Sequence, residues 1–164
     1  MNIKANANAN GWVGRNSLSV SVRDNGNSTD VDGWLGSDSV HIHQNGQSIT
    51  GSISGATGFS DVNLSVSHTA HGSQLHGWVG HQSVSLSDDN NGNGRHNIHG
   101  YYGNSNLSFS RNDRSTSSSI DGDIQSPDLG YQRVSVNVNG GIPNQMEALY
   151  PLLGYLGAAM KAAL

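Results

Sequence analysis

Histidine is the residue type best suited to chemistry in this chain, which holds eight of them and no cysteine. His41 and His43 project from one face of a single strand, about 7 Å apart by strand rise. His68 and His71 share a loop, and His76 and His99 take equivalent places in two copies of a repeat. A transition metal takes three or four ligands converging at about 2 Å from the ion. A pair on one strand is half a site. His41, His43, His76 and His99 are therefore the candidates for a metal or haem contact, while the expectation is surface histidine with neither metal nor cofactor. Asp30, Asp32, Asp88, Asp89, Asp121 and Asp123 fall on polar-face or loop positions and read as solvated charge. Serine is abundant, but no Gly-x-Ser-x-Gly elbow stands between a strand and a helix. The recurring Gly-x-x-Gly lacks the following helix that a phosphate loop needs. The chain is read as a non-enzyme.

Aromatic residues give a stronger signal. Trp12, Trp34, Trp78 and Tyr101 recur at one position of the repeat, and parity puts them on the polar face, away from the core. Such rings combine large apolar area with a polar tip, and a row of them on a solvated face marks a contact surface. Cross-strand packing is the other use of aromatics on a sheet. These four are the candidate binding residues, for a surface glycan, a protein partner or another copy of the chain.

The element that carries them is Gly11-Trp12-Val13-Gly14 running into Ser17-Leu18-Ser19-Val20-Ser21-Val22, and versions of it return along the chain. Gly33-Trp34-Leu35-Gly36, Gly77-Trp78-Val79-Gly80 and Gly100-Tyr101-Tyr102-Gly103 are clear copies, with weaker ones at Gly55 and Gly122. Lead glycines at 11, 33, 55, 77, 100 and 122 give a period of about 22 residues, the mark of a repeat architecture. Apolar residues alternate with polar ones from Ile3 to Val138, the period-two pattern of strands with one buried face. About twelve short strands result, two per repeat. Short Gly-x-x-Ser connections are expected to pair Val13 with Leu18. The Asn25-Gly26, Asn45-Gly46 and Asn91-Gly92 dipeptides supply the positive φ of hairpin turns, the first placing Val20 opposite Val31. One extra residue in the fourth repeat is expected as a bulge near Asn90 to Gly94.

After Gly140-Gly141 the pattern changes, and residues 141–164 read as an apolar helix with Pro143 near its start and Pro151 kinking or restarting it. A helix apolar on every side is a buried one. An antiparallel meander closed as a barrel removes sheet edges and leaves a lumen that this helix would plug or cap. The lead glycines on the apolar side would let the helix approach. The organisation is a β-repeat domain over 1–140 with 141–164 packed on or in it. The run Asn16 to Val22 followed by Gly26-Asn27-Ser28 resembles the curlin repeats of functional amyloid, which implies the rival architecture, a parallel β-solenoid with a helical cap. Curlin's internal Gln and Asn ladders are missing except for Gln44. A barrel with its apolar face toward lipid is disfavoured, since its strands would be short, without aromatic girdles, and would set glycine against lipid.

Totals narrow the function. A net charge of -4, with eight scattered Lys and Arg, offers no basic patch for phosphates and excludes a nucleic-acid binder. No apolar h-region opens the chain, so a cleavable export signal is not expected. The reading is an extracellular or cell-surface binding or self-assembling protein of adhesion or matrix type. The alternatives are a barrel carrier of an apolar ligand or haem, and a toxin that inserts its terminal helix. Membrane contact is expected only through 146–164.

Overall fold

Each run of period-two alternation forms a strand in the computed structural model, which describes residues 5–55, 58–127, 129–140 and 146–155. The strands are β1 (Ala5–Val13), β2 (Asn16–Asp24), β3 (Ser28–Leu35), β4 (Asp38–Asn45), β5 (Ser48–Gly55) and β6 (Gly58–Thr69). They continue as β7 (Gly72–Val79), β8 (Gln82–Gly92), β9 (Arg95–Tyr102), β10 (Ser105–Asp113), β11 (Ser117–Ser126) and β12 (Gly130–Gly140). Every strand pairs antiparallel with its chain neighbours, and β1 pairs with β12 to close the barrel. Closure satisfies the backbone groups that an open edge would expose. It also excludes the parallel solenoid implied by the curlin resemblance.

A twelve-stranded barrel is too wide for its own side chains to fill. The space is taken by a 3-10 turn, Met146–Leu149, that runs into a single α turn, α1 (Tyr150–Leu153). All residues from Met146 to Tyr155 are buried. Pro151 sits in the first turn of α1, where its missing N–H costs nothing, so it restarts the helix. The path of the plug is read along β6: Glu147 Oε1 lies 3.2 Å from His68 Nε2 near the end of that strand, and Tyr155 OH lies 3.2 Å from Ser60 Oγ near its start. The plug thus spans the lumen along its length. Pro143 and residues 156–164 of the expected helix lie outside the described residues.

One interior glycine stands in each odd-numbered strand, at Gly11, Gly33, Gly51, Gly77, Gly100 and Gly122. At Gly33, with φ +155°, a Cβ would press on the Ser19 carbonyl oxygen and lie 2.6 Å from Val20 Cα. At Gly77, with φ +152°, it would press on Asn63 O and lie 2.8 Å from Leu64 Cα. The atoms met first are backbone of the neighbouring strand, so these glycines admit that strand rather than the helix. The glycine that seats the plug is Gly154, where a Cβ would lie 2.9 Å from Tyr102 Cγ and 3.0 Å from Leu107 Cδ1. In the third repeat the interior position belongs to Gly51; Gly55, which a constant period selects, pairs with Gly58 beside the turn.

Two expected registers shift by two residues. Leu18 faces Gly11 rather than Val13, and Val20 faces Gly33 rather than Val31, which pairs with Val22. The glycine takes the place opposite a large residue, so each close approach has a bulky partner on the next strand. The expected bulge is present between Asn90 and Gly92. It moves the positive-φ turn on to Asn93 and Gly94, at 57° and 76°.

A branched side chain at an interior glycine has to adopt unfavourable φ and push the neighbouring strand outward. Gly77→Val is expected to destabilise the protein by about 3 kcal/mol or more, seen as a lower denaturant midpoint. An unchanged midpoint would mean that these glycines do not set the strand spacing.

Candidate functional site

The barrel has two chemically distinct ends. Among the described residues six large hydrophobic side chains are exposed: Trp12, Trp34 and Trp78 at 56%, Tyr101 at 60%, Phe59 at 63% and Tyr131 at 73%. Trp12, Trp34, Trp78 and Tyr101 are penultimate residues of β1, β3, β7 and β9, and Phe59 and Tyr131 are second residues of β6 and β12. Alternate strand directions bring all six to the same end. Each hairpin supplies one, so the aromatics encircle that end. Sequence parity identified four of them; it missed Phe59 and Tyr131 because they sit after the turn, on the return strand. On neighbouring strands Trp12 is flanked by Ser17 and Ser135, Trp34 by Ser19 and Ser39, Trp78 by Asn63 and Ser83, and Tyr101 by Ser85 and Asn106. The rings stand singly among small polar residues, without an aromatic directly across from them.

Asp38, Ser105 and Ser126 are buried inside the aromatic end, and at the opposite end a larger part of the inward face turns polar. Asp24, Thr29, Gln44, Ser73, Asp88, Arg111 and Ser118 are all buried there. Asp88 continues the inward parity of Val84 and Leu86, and Arg111 that of Leu107 and Phe109, so the reading of Asp88 as solvated charge is corrected. Arg111 anchors the cluster. Its Nε and Nη2 donate to the two oxygens of Asp113 at 3.0 and 2.8 Å, and its Nη1 donates to Asp88 Oδ2 at 3.2 Å and to Tyr150 OH at 2.6 Å. Tyr150 in turn donates to Asp88. His96 joins in, with Nδ1 2.7 Å from Asp88 Oδ1 and Nε2 3.1 Å from Arg111 Nη2. Tyr150 belongs to the plug, so this network ties the plug to β8, β9 and β10.

Charge balance follows from burial. Burial alone would lower the Arg111 pKa, but the Tyr150 hydroxyl, Asp113 and Asp88 overcome it and hold the guanidinium firmly charged. Burial pushes the Tyr150 hydroxyl well up, which keeps it a proton donor. Burial also acts to raise the Asp113 carboxyl; hydrogen bonds from Arg111 and Ser118, with the charges of Arg111 and His96, outweigh it and leave the group below its usual value. A cavity of about 260 Å³ adjoins the cluster, lined by His68, Ser73, Asp88, His96, Arg111 and Glu147 among others.

The histidines named from sequence lie elsewhere, on the outer surface. His41 is bonded to Asp32 directly across the strand pair, His43 Nδ1 to Asp30 at 2.5 Å, His99 Nε2 to Asp89 at 2.9 Å, and His76 Nδ1 to Ser85 Oγ at 3.4 Å. Among the described residues no group of three or more His, Asp or Glu side chains converges as metal ligands would. Among the same residues no helix is long and apolar enough to cross a membrane. Compared with known protein families, with curated proteins and with solved structures, the chain finds no match in any of the three.

The depressed Asp113 carboxyl links stability to pH. Its contribution is complete above the unfolded value of about 3.9 and is lost as pH falls through the lower folded value. Asp113→Asn is expected to lower the melting temperature at neutral pH and to flatten its decline between about pH 5 and pH 2. Parallel acid profiles for the two proteins would remove Asp113 from the lock.

Proposed function

We propose that the protein is a non-enzymatic binding protein that attaches through its aromatic end, of adhesion or matrix type and acting outside the cell or at its surface. One observation carries this reading: six exposed aromatic side chains, one per hairpin, encircle a single end of an otherwise polar barrel. Trp and Tyr offer large contact area with few rotamers to freeze, which is why they dominate binding energy at interfaces. None of the three tryptophans supports the core, so their placement serves contact rather than folding.

The buried polar cluster does not compete as a reactive site. Arg111, Asp88, Asp113 and Tyr150 spend their hydrogen bonds on one another, so the groups that border the adjoining cavity are already engaged in holding Tyr150 of the plug. A carrier has less support, because a ligand entering the lumen would have to displace the buried segment from Met146 to Tyr155. Insertion of that segment as a toxin would likewise require its withdrawal from the lumen.

The test compares the wild-type protein with a Trp34→Ala, Trp78→Ala double variant. Attachment to whole cells and self-association by sedimentation velocity are measured for both, together with melting. The double variant is expected to lose the attachment or association that the wild type shows, with its melting temperature nearly unchanged. Undiminished binding by the variant, or a large fall in its melting temperature, would contradict the proposal.

A further inference from the structure

Resting on the reading of the aromatic end as the contact face, we infer that its partner is the lipid–water interface of a phospholipid membrane, with the barrel standing end-on. The first ground is geometry. A groove or a patch on one side suits a glycan or a single protein domain, whereas a ring drawn from β1, β3, β6, β7, β9 and β12 addresses a plane that meets the barrel all round. The second is chemistry. Five of the six rings are Trp or Tyr, the side chains that settle at the headgroup level of membranes because one part is apolar and the tip is polar.

The third ground is isolation. Each Trp stands between serines or between serine and asparagine, so no Trp is joined across its strand pairs to the contiguous apolar patch that forms the core of a protein interface. Separate amphipathic rings suit a fluid partner that fills the gaps between them. The ring also lies one or two residues from the turns, about 3 to 7 Å of strand, which matches the depth of about 5 to 10 Å at which apolar faces settle in the interface.

Because the chain as a whole carries a net charge of -4, attachment rests on apolar contact rather than on attraction to anionic headgroups.

All three tryptophans of the chain belong to the ring, so their fluorescence reports it directly. Full-length protein is mixed with phosphatidylcholine vesicles. Its emission is expected to shift to shorter wavelength, to be quenched by vesicles whose acyl chains carry bromine, and to do so equally at low and high salt. The protein is expected to sediment with the vesicles, and Trp34→Ala with Trp78→Ala to lose most of that sedimentation. An unshifted emission and protein left in the supernatant would overturn the lipid assignment. If the tryptophan pair were then still required for self-association or cell attachment, the aromatic end would remain a contact face with a protein or glycan partner; if it were required for neither, both readings would fall.

Discussion

Closing twelve strands on themselves creates a lumen wider than their inward side chains can fill, and the rest of the molecule follows from how that space is occupied. An empty axis would forfeit the dispersion contacts of every inward residue. Met146, Leu149, Tyr150, Leu152 and Leu153 supply them, each gaining roughly 1.5 to 3 kcal/mol by burial. The barrel has no sheet edge to protect and the plug no solvated face to cover. The segment from Met146 to Tyr155 is thereby part of the barrel's core.

An apolar plug in an apolar tube has nothing to fix its depth, and the polar end supplies what is missing. Arg111 holds Asp88, Asp113 and the Tyr150 hydroxyl at once, so a plug displaced along the axis leaves buried charges without partners. The His68 contact to Glu147 acts at the same end. With depth and direction fixed there, Tyr155 is brought to the aromatic end. The two ends thus divide the work: one locks the plug, the other carries the exposed rings.

Strand number, antiparallel order, closure and the plug were legible because period-two alternation, turn chemistry and an all-apolar terminal run constrain the topology together. Four of the six aromatics were legible for the same reason. Register was less so, because sequence does not reveal that glycine opposes a large residue in each pair; Leu18 and Val20 therefore pair with Gly11 and Gly33 instead of Val13 and Val31. Gly51 was hidden because the second repeat is shorter and the third longer, which leaves Gly55 on the average period by coincidence. The lock was missed for a different reason. Asp88, His96, Arg111 and Ser118 keep the inward parity of their strands, but a charged residue at that parity reads as a strand end unless a partner from another element is known. Tyr150 is that partner, and no local pattern links it to Arg111.

Hydrogen exchange resolved along 146–155 tests the mutual dependence of barrel and plug most directly. If the plug is an inseparable part of the fold, amides from Met146 to Tyr155 exchange only through the opening that also exposes central strands such as β10, with the same dependence on denaturant. Rapid exchange across 146–155 while the strands remain protected would show a barrel that stands without its plug, and would contradict this account.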